Sequence, residues 1–266
     1  MQEHDSMQFK TGRERRLKYY GVLTFAVLIA AVGWVMMTLT SSPAMKGAAF
    51  IWLPAALQLI AGVWLGPIEG LIAGGLGAYA AGILAYGGWG LPDIIMNPIA
   101  GGLANSMLPA VLFRIFRVDP DLGAKPRPTG NAILRILAIL IVVVILTVVL
   151  QRLHVGLWGY VPQIVILFLA PLYLRDPELG FPMRKLVLAF GICVASSLIS
   201  ALIGSVGAKV GGLSWEGAFV GVGAGWFLGD TVSSLFGLYM LAALTDRARK
   251  AGLVSERGKP VSALAV

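Results

Sequence analysis

The sequence predicts an all-α integral membrane protein, with about eight transmembrane helices in one bundle and both termini in the cytoplasm. Four observations carry that prediction. Hydrophobic residues make up 58% of the 266 and charged residues only 13%, which excludes a typical soluble domain and a disordered chain. The apolar residues fall in runs of about 20, the length that crosses hydrocarbon as a helix. The 34 Gly and 14 Pro suit packed, interrupted helices rather than a barrel, whose strands would alternate apolar and polar residues. Finally, the Lys and Arg residues segregate along the chain as the positive-inside rule requires.

Residues 1–18 form a basic cytoplasmic tail that carries Lys10, Arg13, Arg15, Arg16 and Lys18. The apolar run Tyr19–Thr40 follows. It exceeds the apolar core of a cleaved signal peptide and is read as a retained first span. Further spans are expected at 49–65, 69–87, 92–113, 132–151, 160–174, 186–206 and 217–244, so the transmembrane domain covers 19–244 and a second cytoplasmic tail covers 245–266. This threading puts the first tail, Arg114, Arg117, Lys125, Arg127, Arg135, Arg175, Arg184, Lys185, Arg247, Arg249, Lys250, Arg257 and Lys259 on the inner side. Only Lys46, Arg152 and Lys209, of 21 basic residues, remain outside. The segment 160–174 is short enough that a re-entrant or tilted course stays open beside a full span.

Spans two and three are joined by the turn Leu65–Gly70, with Pro67 suited to a first helical turn. Span three repeats small residues four apart, at Gly66, Gly70, Gly74, Ala78 and Gly82, a face that lets another helix approach closely. Glu69 reads as a solvated carboxylate at a helix start. Span four sets Asn97, Gly101 and Asn105 on one face, and amides inside hydrocarbon must find hydrogen-bond partners. The Pro- and charge-rich loop Arg117–Gly130 is the longest inner connection. Span five is almost free of polar atoms and reads as lipid-facing. His154, Trp158 and Tyr160 follow at the outer boundary, as an aromatic belt would. Span seven offers Ser196, Ser197, Ser200 and Gly204 for close packing, and Trp52 and Gln58 add an indole and an amide from span two.

Span eight carries Asp230 near its midpoint, with Trp226, Ser233, Ser234 and Gly237 on the same side at helical spacing. A charge there is penalised by about 2.5–3.5 kcal/mol on insertion scales, so the residue faces the bundle interior. Two readings stay open: a carboxyl that locks helices together, or a ligand, ion or proton site. The candidate solute-binding set is Asp230, Trp226, Asn97, Asn105, Gln58 and Trp52, and its convergence is an expectation for the fold to meet. The chain lacks a Gly-x-x-x-x-Gly-Lys-Ser/Thr phosphate loop, so ATP-driven work needs a partner. Two His and one Cys offer no metal set and no Cys/His nucleophile pair. No enzymatic activity, metal or cofactor is therefore expected. The basic stretches adjoin membrane ends without interleaved aromatics, which points to lipid headgroups rather than nucleic acid.

The hairpin Leu65-Gly-Pro-Ile-Glu-Gly-Leu-Ile-Ala-Gly-Gly-Leu-Gly-Ala78 resembles the substrate-binding S components of energy-coupling factor (ECF) transporters. The amide-containing span Asn97–Phe113, the pattern Gly229-Asp-Thr-Val-Ser-Ser-Leu235 with Leu241-Ala-Ala-Leu244, and Ala26-x-x-x-Ala30 extend the likeness. S components usually have six spans, where this chain has about eight. The resemblance implies a small-molecule solute, a transmembrane coupling subunit meeting Ala26 and Ala30, separate ATPases, and residence in the inner (plasma) membrane. A second likeness, over Asn105–Leu122 and Gly225-Trp-Phe-Leu-Gly-Asp-Thr-Val232, is to MASE1-type membrane sensory domains. It implies a sensor, and an accessory or structural subunit of a larger membrane complex is a third reading.

Overall fold

The computed structural model describes residues 2–40, 51–86, 91–124, 130–153, 160–173 and 182–254. In chain order these form α1 (Gln2–Thr40), α2 (Pro54–Leu65), α3 (Pro67–Tyr86), α4 (Leu91–Pro98), a π-helical run π1 (Ile99–Met107), α5 (Leu108–Ile115), α6 (Gly130–Arg152), α7 (Val161–Tyr173), α8 (Met183–Val210), a second π-helical run π2 (Gly217–Gly223) and α9 (Ala224–Lys250). No strand occurs among the described residues. Lys46, Lys125, Arg127, His154, Trp158, Arg175, Arg257 and Lys259 lie outside them.

Five stretches are long and apolar enough to cross a membrane: Arg16–Thr40, Pro67–Ala85, Ile95–Ile115, Met183–Val210 and Gly217–Lys250. This is the build of an α-helical membrane protein, in which every spanning backbone group is satisfied within its own helix. The other three expected spans are helical but shorter among the described residues. The apolar stretch of α6 is Leu137–Leu150, while α2 has 12 residues and α7 has 13. A helix of that last size reaches about 20 Å, short of the ~30 Å hydrocarbon core. The run expected at 49–65 becomes helical only at Pro54. A proline ring has no N–H to donate and suits a first turn, so it starts the helix rather than continuing one.

The bundle is built around α9. Of its most apolar window 78% is buried, against 22% for the corresponding window of α1. It packs against α2, α8 and α7, while α1 lies along α3. At the periphery, α6 exposes the apolar side chains Leu134, Ile141, Ile145 and Val149.

Small residues bring three elements into backbone contact, as the four-residue repeat of α3 predicts. A methyl group on Gly70 would collide with Cα of Gly62 on α2, and one on Gly62 would run into the carbonyl oxygen of Ser106 in π1. On Gly74 it would lie 2.7 Å from the carbonyl oxygen of Gly101. The Ser106 hydroxyl donates to the carbonyl of Gln58 at 2.7 Å and fixes the register of α2 on π1.

One end of the bundle gathers its basic residues into ion pairs. The loop after α5 turns back through left-handed φ values of 53° at Arg117 and 54° at Leu122. Branched Leu122 bears that strain because its side chain is buried, together with Val118. Asp119 accepts from Lys185 at 2.9 Å and Asp121 from Arg249 at 3.4 Å, tying the loop to α8 and α9. The Trp64 indole donates to Thr245 at 2.9 Å, linking α2 to α9, and Lys18 meets Glu69 at 3.4 Å across α1 and α3.

Candidate functional site

Asp230 sits in α9 with 1% of its surface exposed. Two neutral donors reach the same carboxylate oxygen. Ser200 Oγ of α8 donates to Oδ2 at 2.6 Å, and Asn105 Nδ2 of π1 donates to it at 2.9 Å. Asn105 Nδ2 also lies 3.3 Å from Ser200 Oγ, which closes a triangle across three elements. Oδ1 has no donor among the described residues. Asn105 is carried by π1, a run bracketed by Pro98 and Pro109. Wider i→i+5 turns of this kind recur where a helix presents functional groups.

Beside this triangle lies a small cavity of about 20 Å³, room for a water molecule or so, within about 340 Å³ of empty space that includes its open mouth. Its walls are Met37, Trp52, Ala78, Asn97, Ala100, Gly101, Asn105, Ser200, Trp226 and Asp230. Five residues of the candidate set, Asp230, Trp226, Asn97, Asn105 and Trp52, therefore share one cavity. Both indoles rest on glycines. A methyl group on Gly204 would overlap the six-membered ring of Trp226, and one on Gly33 would come within 2.8 Å of Trp52. Among the described residues the lining contains no Lys, Arg or His.

Gln58, the sixth candidate, is fully buried but does not line the cavity. It stands behind Gly101, where a methyl group would lie 2.6 Å from its Nε2. Among the described residues neither of its amide atoms has a partner, and the same holds for Asn105 Oδ1 and the hydroxyls of Ser196 and Ser197. Unpaired polar atoms thus stand behind Gly101, and others lie about one turn along α8 from Ser200. Such atoms ordinarily hold water, since each costs roughly 1–3 kcal/mol when left alone.

Ala26 and Ala30, expected to meet a partner helix, lie on the side of α1 that packs against α3. Ala30 is 8% exposed, and a methyl group on Gly77 would sit 2.9 Å from the carbonyl oxygen of Ala26. Ala30 is thus covered within the chain, and Ala26 stays half-buried.

Sequence reasoning treated Ser200 and Gly204 as packing residues and left out Met37, Gly33 and Ala100. Ser200 was visible only as one hydroxyl among four on an apolar helix. Its bond to Asp230 depends on how α8 is rotated against α9, which spacing along one helix does not define. Among the described residues no cluster of three or more His, Cys, Asp or Glu side chains forms.

The fold and cavity define a helical membrane protein with an acidic, aromatic-walled chamber inside its bundle. No protein-family model matches the chain, and neither does any curated protein or solved structure.

Proposed function

We propose that the chain is the membrane-embedded solute-binding subunit of an ECF-type importer, energised by separate ATPase and coupling subunits. The observation that carries this reading is the cavity, where a carboxylate, two amides and two indoles from different parts of the chain converge on enclosed space. Few, well-placed polar groups on otherwise apolar and aromatic walls are the usual form of small-molecule sites. The glycine-rich α2–α3 hairpin adds the likeness to S components. On this reading the chain crosses the inner (plasma) membrane about eight times with both termini in the cytoplasm, because its basic residues concentrate on that side. The cavity then opens toward the outer face, away from the ion-paired end.

Affinity purification of the tagged protein from its native membrane tests the assignment. A coupling membrane subunit and ATPases should co-purify. Recovery of a kinase or cyclase in their place would replace import with sensing, and recovery within a larger assembly without ATPases would make the chain an accessory subunit. Orientation has its own test. With Cys193→Ser as background, Lys209→Cys should react with an impermeant thiol reagent in intact cells, whereas Ala124→Cys should react only after lysis. The opposite pattern would invert the threading.

A further inference from the structure

We propose that the cavity takes a small organic cation, with an ammonium group seated between Asp230 and the indoles of Trp52 and Trp226. This rests on the reading of the cavity as a solute site and names the chemical class of its occupant.

The charge inventory comes first. Among the described residues Asp230 is the one ionisable side chain in the lining, and none of the Lys, Arg or His side chains among them lines the cavity beside it. Its described partners are a hydroxyl and an amide, both on Oδ2. They orient the group without neutralising it and leave Oδ1 to the cavity. A buried carboxylate without a counter-charge is costly, and a bound cation removes that cost. An anionic solute would add repulsion, and a neutral one would leave the carboxylate uncompensated.

The walls decide which kind of cation fits. Indole faces attract ammonium groups through their quadrupole, more strongly where water is excluded. Trp52 and Trp226 come from opposite parts of the sequence, and Gly33 and Gly204 provide the space in which the rings lie. A bare metal ion instead needs about six oxygen ligands for calcium or magnesium. Here the oxygen-bearing side chains of the described lining are Asp230, Ser200, Asn97 and Asn105, with Asn105 Oδ1 sealed away from the surface, and Met37, Ala78, Ala100 and Gly101 offer no side-chain oxygen. Asn97 supplies an amide for a polar substituent on the organic body.

The test uses the purified full-length protein and two charge series of nearly constant shape: choline, 3,3-dimethylbutan-1-ol and 3,3-dimethylbutanoate, then benzylamine, benzyl alcohol and benzoate. Tryptophan fluorescence and melting temperature report binding. The ammonium member of each series should bind at least about tenfold more tightly than its neutral counterpart, and Asp230→Asn should erase that preference. Gly204→Ala keeps the carboxylate but displaces the Trp226 ring, and should weaken ammonium binding in a protein that still melts cooperatively. Neutral or anionic members that bind as well as the ammonium, with a signal lost in Gly204→Ala, would overturn the cation assignment and leave the solute site standing. Absence of binding by every member of both series would overturn both.

Discussion

The two ends of the bundle treat their polar groups in opposite ways. At the basic end Asp119, Asp121 and Glu69 each meet a Lys or Arg, and the Trp64 indole has Thr245. At the cavity, among the described residues, Asp230 faces neutral donors only, while Gln58 and Asn105 Oδ1, and Ser196 and Ser197 farther along α8, keep unpaired atoms. Paired groups hold elements together and ask for nothing further. Unpaired groups in a buried, glycine-lined region are a standing cost, and their retention makes sense where a solute or water completes them. The contrast therefore separates scaffold from site.

The largest effect should come from breaking the scaffold where α2, α3 and π1 touch. Gly62→Val would drive side-chain atoms into the Ser106 carbonyl, whose backbone cannot yield. A loss of about 3 kcal/mol or more is expected for such overpacking, so the variant should fail to accumulate in membranes. Wild-type yield and melting temperature would mean that the three elements are not held this closely.

A smaller effect is expected at the paired end. Trp64→Phe removes the bond to Thr245 and should cost about 1–2 kcal/mol in thermal unfolding, leaving solute affinity unchanged. Altered affinity with unchanged stability would erase the division between the two ends. The smallest effect has the opposite sign. Gln58→Leu removes two unpaired amide atoms behind Gly101 and should stabilise the protein by about 1 kcal/mol while weakening solute binding. A fall in stability would show that the amide serves the scaffold instead.

Much of this arrangement was legible in the residues. Asp230 announced itself as a carboxylate within an apolar run, and the spacing of Asn97 with Asn105 put two amides on one face. The four-residue repeat of Gly70, Gly74 and Ala78 marked the close-packed side of α3. Other features escaped because one sequence signal fits two placements. Gln58 is an amide in an apolar run whether it lines a cavity or stands behind its wall, and rotation about the helix axis decides between them. Ala26 and Ala30 offer a smooth face to any neighbour, and α3 of the same chain takes part of it. Span two was drawn too long because hydropathy does not register where Pro54 starts the helix. Gly33 and Gly204 could be seen as small, but their task of making room for indoles depends on side chains distant in sequence.

Native mass spectrometry of the protein extracted gently from its membrane tests the central claim most directly, because it weighs whatever the cavity retains. The wild-type protein and Trp64→Phe should carry the same small-molecule adduct, and Asp230→Asn and Gly204→Ala should have lost it while keeping cooperative melting. An adduct of equal occupancy in all four proteins would contradict the account, since neither the carboxylate nor the indole would then hold the solute.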